Sequence, residues 1–387
     1  MKADRYIGEI AKKIGPRGST TEKETEAAEY ITEKLVQSGY EPAKESFISA
    51  KSGWYPYALF AFLVLTAELL FILKYPVIAF FITLISIVSV ITELLFKQNL
   101  FRIILPKGKS QNVILKIKPQ QETREKVILM AHMDTHRTPL AFSSTLWVKI
   151  FDVLVPIGLA SAIIMMLIFG LSALLPWQHW NTVTAPFCVV MVAILIITLQ
   201  TDFTPYTEGA NDNASGVAVC LDLAQRIKEH PLDFTETWIV FTGCEEVGCY
   251  GADSFALSHK KELNNAAWIT IDSVGSPNAE ICYLTREKFL YEAKSDPGLL
   301  LIADAVRDEN PEIGAKACSN FIGAYTESSI AVKHGFRTIT LIALSNDGRF
   351  ENWHQPTDIL ENVDMGMVEK CFNLAWNILR KIDEKKN

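Results

Sequence analysis

Four long apolar stretches constrain this chain more than anything else in it: residues 54–73, 75–96, 153–175 and 182–199. A helix needs about 20 apolar residues to cross the hydrocarbon core of a bilayer, and each stretch comes near that length. The two later stretches hold no charged residue, and the earlier two hold one acid each, Glu68 and Glu93. Four membrane spans account for such runs; a soluble core does not need them. The two acids have two readings. Close to the span ends they can snorkel toward the interface, whereas an acid kept inside the bilayer marks a functional feature.

The spans come as two hairpins. Lys74 and its neighbours join the first pair, and PWQHWN, residues 176–181, joins the second. Each hairpin returns the chain to the side it left. The polar segments 1–53, 97–149 and 201–387 therefore share one face of the membrane, with the hairpins at 54–96 and 150–200. Lys44, Lys51, Lys97, Arg102, Lys107, Lys109, Arg137 and Lys149 flank the spans on the polar side. The other side has Lys74 alone, with Trp177 and Trp180 suited to an interfacial belt. Positive charge stays inside, so the polar mass is expected in the cytoplasm. No apolar run adjoins MKADRYIGEIAKK, so no cleaved signal peptide is expected. The seven cysteines are scattered and lack paired CxxC spacing, which favours a reducing compartment. A net charge of −7 argues against a nucleic-acid partner.

The polar segments alternate strand and helix signals. NVILKI (112–117), KVILMA (126–131), TWIVFTG (237–243), AWITID (267–272) and RTITLIAL (337–344) read as strands. Several are unbroken apolar runs, as in strands buried on both faces of a mostly parallel sheet. Residues 20–40 read as an amphipathic helix, with Ala27, Ala28, Ile31, Leu35 and Val36 as its stripe, Thr20 or Thr21 as N-cap and Gly39 as its stop. Residues 215–230 and 297–309 read as further helices. The expected fold is α/β: a mostly parallel mixed sheet flanked by helices, with four transmembrane helices inserted as two hairpins.

Chemistry gathers where the strands end. After KVILMA come His132 and Asp134; after TWIVFTG come Cys244, Glu245 and Glu246; AWITID closes on Asp272. Ligands of open α/β sheets bind beyond the carboxyl ends of the strands, so these side chains can converge. Two loops add Asp212, in GANDNASG ahead of a helix, and His354, in ENWHQPTD. Each has an ordinary alternative. Asp212 or Asn213 can cap the following helix, His354 can be a plain loop histidine, Glu245 and Glu246 a solvated pair, and His132 a hydrogen-bonded core residue. Asp272 resists such a reading, because a carboxylate ending a buried strand is costly unless it is paired or holds a metal. Together the set offers imidazole and carboxylate donors, which suit zinc.

These motifs resemble the di-zinc aminopeptidase family of metallopeptidases, whose relatives include glutamate carboxypeptidase and glutaminyl cyclase. The opening IGPRGSTTEKETEAAEYITEKLVQSGYEPAKESF (14–47) resembles that family's first helix and strand. The similarity covers the polar segments and none of the spans. His132 and Asp212 lie 80 positions apart, and residues 147–200 supply most of that distance, so the second hairpin reads as an insertion. The resemblance implies a zinc exopeptidase-like fold, a peptide substrate and two co-catalytic zinc ions. It implies Asp212 as the bridging ligand, His132 and Asp272 as ligands of one metal, and Glu246 and His354 as ligands of the other. It further implies that Asp134 hydrogen-bonds His132, that Glu245 is the general base, and that the Asp212–Asn213 peptide is a candidate for the cis form. His136 fits none of these roles and is read as a rim or surface residue. The family commonly has Ser-Asp where Thr326 and Glu327 stand here, so substrate preference does not transfer; a Glu327 facing the site would suit a free amino terminus. The implied activity is a membrane-anchored aminopeptidase. A carboxypeptidase, an amide deacylase and a non-catalytic scaffold are the alternatives.

Overall fold

The unbroken apolar runs do become the interior of a sheet. The computed structural model describes residues 2–175, 179–288, 291–319, 321, 324–345, 348 and 351–384; Trp177, expected in an interfacial belt, lies outside these. The chain starts with α1 (Ala3–Gly8), α2 (Glu22–Gln37), β1 (Ala43–Ala50), α3 (Tyr55–Ile72), α4 (Pro76–Leu94) and α5 (Leu100–Ile104). Then come β2 (Lys107–Ile117), β3 (Glu125–His132), α6 (Thr145–Leu174), α7 (Trp180–Thr201), α8 (Gly216–Glu229), β4 (Thr235–Thr242), α9 (Tyr250–His259) and β5 (Ala267–Asp272). The last elements are β6 (Glu280–Leu284), β7 (Arg286–Lys288), β8 (Glu292–Lys294), α10 (Pro297–Glu309), β9 (Lys316–Cys318), α11 (Glu327–His334), β10 (Arg337–Leu344) and α12 (Met365–Asp383).

Two compact units result. The first comprises residues 1–51, 107–136 and 206–387, and the second 52–106 and 137–205. In the first, eight strands form one sheet in the order β1-β2-β4-β3-β5-β10-β6-β9, with β4, β3, β5 and β10 mutually parallel. Those four are the strands read from the sequence as apolar runs, apart from β2, which pairs antiparallel with β1 and β4. Their parallel alignment brings the ends of β3, β4 and β5 to one edge, and the strand-end polar residues with them. The edge strand β9 and the hairpin β7–β8 have three residues each, too short for a periodic signal. Cys282 of β6 and Cys318 of β9 form a disulfide. Sequence spacing hides this pair because the two residues meet only once β9 docks beside β6.

Helix α2 follows the sequence expectation closely. Thr21 caps it, accepting from the Glu24 amide, and it stops at Gly39, whose φ of +78° is left-handed. Its buried stripe is Ala27, Ala28, Ile31 and Leu35; Val36 is 55% exposed and does not belong to it. The stripe instead gains Glu24, which is wholly buried.

The second unit holds α3–α7. Four of its helices, Tyr55–Ile72, Pro76–Leu94, Thr145–Leu174 and Trp180–Thr201, are long and apolar enough to cross a membrane. Their contact faces carry small or close-fitting residues, with Ala61, Ala67, Ala79 and Ala162 buried. Their outward faces carry Val77, Phe81, Val88, Leu167, Val189 and Ile196 at 42% exposure or more in each case. That is an apolar exterior, the reverse of a soluble bundle. Neither acid snorkels. Glu68 is buried and accepts from Thr184 Oγ1 at 2.7 Å; Glu93 accepts from Arg102 Nε at 2.8 Å and Asn99 Nδ2 at 2.7 Å. Buried charge persists where it is paired and hydrogen-bonded; Glu93 has the Arg102 cation, whereas Glu68 has the Thr184 hydroxyl, and its Oε2 has no hydrogen-bond partner among the described residues.

Candidate metal centre

The site grows from the carboxyl ends of β3, β4 and β5. At the end of β3, His132 points Nε2 to within 3.1 Å of Asp212 Oδ1 and 3.8 Å of Asp272 Oδ1. The other oxygen of Asp212 lies 3.4 Å from His354 Nε2, and that nitrogen lies 3.2 Å from Glu246 Oε2. One carboxylate is thus shared between two imidazoles, each with a second carboxylate beside it. His132, Asp212, Asp272 and His354 are all buried. The structure brings together all five of the residues the resemblance implies as metal ligands.

Local structure explains how each arrives. His132 and Asp272 are the last residues of adjacent parallel strands. Asp212 sits in a loop whose Gly209 is left-handed at φ +58°, and the Asp212–Asn213 peptide is cis. It does not cap α8. That work falls to Asn213, whose Oδ1 accepts from the Gly216 amide at 3.0 Å, leaving the Asp212 carboxylate free to face the imidazoles. The Asp212 and Asn211 amides donate to the Asp358 carboxylate at 3.1 and 2.7 Å. The wholly buried Arg17 binds the carbonyls of Met133 at 2.7 Å and Gly209 at 2.8 Å, tying the His132 loop to the Asp212 loop.

Asp134 differs from its expected role. Its carboxylate is 3.6 Å from His132 Nδ1, beyond hydrogen-bond distance, while its backbone carbonyl oxygen lies at 3.2 Å and fixes that ring. The carboxylate accepts instead from the Glu245 amide (3.0 Å), the Glu246 amide (3.2 Å) and Ser19 Oγ (2.6 Å). Asp134 therefore organises the turn that presents both glutamates. Glu245 accepts from Cys249 Sγ at 3.1 Å.

Charge at this centre is unbalanced in favour of carboxylates. Burial opposes protonation of His132, but the carboxylates of Asp134, Asp212 and Asp272 outweigh it and hold the imidazole well above its usual range. Burial likewise opposes His354, and Glu246 and Asp212 raise it to about 9. Asp212 is driven down despite burial by its two imidazoles. Burial, then the charge of Asp212, pushes Glu246 up to about 7. Burial holds the Glu245 carboxyl well above the usual carboxylate range. Two imidazoles do not neutralise so many carboxylates, and a divalent cation would. Glu246 Oε1 is buried and has no hydrogen-bond partner among the described residues, an orphaned acceptor of the kind a metal satisfies. His132, Asp212 and Glu246 each offer a ligand atom within 4.8 Å of the others, as do His136, Glu246 and His354. The donor set fits zinc.

Four participants escaped the sequence reading. His136 is no surface residue: it is buried and stacks on His354, with ring centroids 3.7 Å apart and planes 12° from parallel. Stacked rings cannot both aim lone pairs at one ion without turning, so in this arrangement His136 braces the His354 ring. Its signal was visible, four residues past His132 in the same loop. Arg17 stood in IGPRGS and Asp358 in ENWHQPTDILENVD, but nothing local marks either as buried. Ser19 likewise gave no signal of its own. Glu327 is wholly buried at the start of α11; it accepts a hydrogen bond from Thr242 Oγ1, and its Oε2 has no hydrogen-bond partner among the described residues.

Known proteins resemble the chain on both levels. The sequence profile of peptidase family M28 matches residues 179–379, just over half of the chain. Aminopeptidase YwaD of Bacillus subtilis is 35% identical over 85 residues, 21% of this chain and 18% of that protein. A probable zinc metalloprotease of Pyrenophora tritici-repentis is 40% identical over 80 residues, 20% of this chain and 18% of that protein. The matched stretches thus span less than a fifth of these relatives. A solved zinc aminopeptidase from Bacillus subtilis superposes with a TM-score of 0.59 at 14% identity, covering 99% of this chain and 95% of that one. A glutaminyl cyclase from Bacteroides thetaiotaomicron gives 0.57 at 14% identity, covering 100% and 97%. At such identity the likeness is one of fold.

Proposed function

Since the chain belongs to peptidase family M28, we propose that it is a membrane-anchored, zinc-dependent exopeptidase, an aminopeptidase acting on peptides. The observation that carries this reading is the division of the Asp212 carboxylate between His132 and His354. His132, Asp272 and Asp212 would hold one zinc ion, and Glu246, His354 and Asp212 would hold the other. When bound, zinc supplies Lewis acidity: it makes water a nucleophile near neutral pH and polarises the scissile carbonyl. Glu245 takes the proton of the attacking water and delivers it to the leaving amine. Burial raises the proton affinity of its carboxyl, as accepting a proton requires. Asp134 keeps Glu245 and Glu246 aimed by holding their amides.

The test is hydrolysis of matched peptides with free, N-blocked or C-blocked ends, before chelation, after it, and after zinc is restored. Zinc-restored cleavage confined to peptides with a free amino terminus is the expected result. Cleavage that requires a free carboxyl end would replace the aminopeptidase with a carboxypeptidase. Turnover of chelated enzyme at the original rate would overturn the metal role altogether.

The peptidase domain comprises 1–53, 97–149 and 201–387, and the two hairpins at 54–96 and 150–200 anchor it in the bilayer. The apolar exterior of the second unit supports the anchor. Two features disagree on sidedness. Flanking basic residues favour the cytoplasmic face, whereas the Cys282–Cys318 disulfide is typical of oxidising compartments. We take the cytoplasmic face. A cysteine introduced at the exposed Lys261 should then react with a membrane-impermeant maleimide only after cells are permeabilised. Labelling of intact cells would turn the domain outward.

A further inference from the structure

The turn after β4 is held in an unusual way. Its four successive amides, Gly243 to Glu246, all donate to side chains: Gly243 to Asn112 Oδ1 at 3.3 Å, Cys244 to Glu24 Oε1 at 2.9 Å, and Glu245 and Glu246 to Asp134. Cys244 is left-handed at φ +56°, a conformation that a side chain disfavours and that persists where surrounding contacts impose it. Gly243 beside it has no room for a side chain. A Cβ there would lie 2.3 Å from Ser110 Oγ, 2.7 Å from Glu24 Oε1 and 2.9 Å from the Gln111 carbonyl oxygen.

Glu24 belongs to none of the roles assigned so far. From the sequence T-T-E-K-E it reads as the acidic partner of a capping box at the start of α2, and such a residue is ordinarily solvated. Here it is wholly buried. Oε2 serves the local function, accepting from the Thr20 amide at 2.9 Å and from Ser110 Oγ at 2.9 Å. Oε1 reaches across to the turn, where it accepts from the Cys244 amide and, at 3.4 Å, from Cys244 Sγ. A carboxylate committed to so many donors has an oxygen to spare for the turn because its own helix needs only the other.

We propose that Glu24 is a positioning residue for the turn that carries Glu245 and Glu246. It fixes Cys244 in the left-handed conformation, and Asp134 then sets the next two amides, so the two carboxylates together decide where the base and the metal ligand point. This rests on the roles given above to Glu245 and Glu246. Loss of Glu24 acts most strongly at one metal position. Glu246, the ligand proposed beside His354, lies in the turn itself, whereas His132 and Asp272 end β3 and β5, and the turn reaches His132 only through Asp134.

The test uses the purified full-length chain, zinc-loaded, with both zinc affinities resolved by chelator competition and followed with Co2+ absorption. Glu24→Gln keeps the shape but sets an amide group among donors. It is expected to lower kcat about 10- to 100-fold with KM within about twofold, and to weaken the zinc position of Glu246 and His354 about tenfold and the other by clearly less. Gly243→Ala, which crowds Ser110 Oγ and Glu24 Oε1 together, should reproduce that pattern. Thr21→Ala, which removes the bonds to the Glu24 amide and the Gly18 carbonyl but leaves the Glu24 carboxylate and its donors in place, should lower Tm and leave kcat and both zinc affinities unchanged. Equal weakening of both positions in Glu24→Gln would mean a merely structural role and overturn the proposal. So would wild-type kcat and wild-type affinities in that variant while the parent chain binds two zinc ions. A parent chain that binds no zinc would overturn the peptidase reading, and this inference with it.

Discussion

Glu245→Gln is expected to lower kcat by about 10²- to 10⁴-fold, the range general acid–base catalysis commonly supplies, while both zinc affinities stay within a few-fold of the parent. The two adjacent glutamates differ in their surroundings. Glu246 turns its Oε2 to His354 and its Oε1 to an unpartnered, buried position, as a ligand would. Glu245 turns to Cys249 Sγ and makes no ion pair with either imidazole among the described residues. Burial raises its pKa first, His132 opposes this, and Glu246 and Asp272 add to it. A carboxylate so placed has proton affinity and no metal to satisfy. Glutamine preserves its volume and removes only the ability to carry the proton, so kcat should fall and KM should hold. A variant keeping more than about a tenth of the parent kcat would remove Glu245 from the base role and reopen the search among the neighbouring acids.

The proposed ligands were legible because their signals are local. A buried strand needs no His or Asp at its end, so the run VILMA into His132 and AWITI into Asp272 each announces a site within a few residues. The residues that hold the ligands gave no such signal. Arg17, Glu24 and Asp358 look like surface charges, and only the docking of distant segments buries them. Glu24 meets Cys244 220 positions later, and Arg17 meets Gly209 192 positions later. The same holds for the helices of the second unit. Their length and composition stand out, but the inward turn of Glu68 depends on Thr184, 116 positions on, in a different hairpin. Strand order was equally hidden: β10 enters the sheet between β5 and β6, and β6 and β9 extend the sheet on its far side.

Asp212→Asn should have the widest effect of any single change, because in the proposed site one residue serves both metal positions. Its two oxygens lie 3.1 Å from His132 Nε2 and 3.4 Å from His354 Nε2. An amide offers one acceptor and no charge, so it can satisfy at most one position and that one poorly. Zinc uptake is expected to fall from two ions to one or none, with kcat down by at least about 10³-fold, the combined loss of the metals' nucleophile-generating and carbonyl-polarising roles. Stability gives an independent readout. A ligand that binds only the folded chain stabilises it by about 2.7 kcal/mol at a hundred times its Kd, so zinc should raise the Tm of the parent. In the variant that rise should shrink or vanish, while the two metal-free proteins both remain folded. The main chain around Asp212 is held by Asp358, Arg17 and Asn213, none of which the substitution touches, so loss of metal and loss of fold are separable. Two zinc ions bound at parental affinity by Asp212→Asn would show that Asp212 is no bridge. The Asp272 and Glu246 carboxylates would then each have to hold an ion with a single imidazole, and the case for a co-catalytic pair would fall.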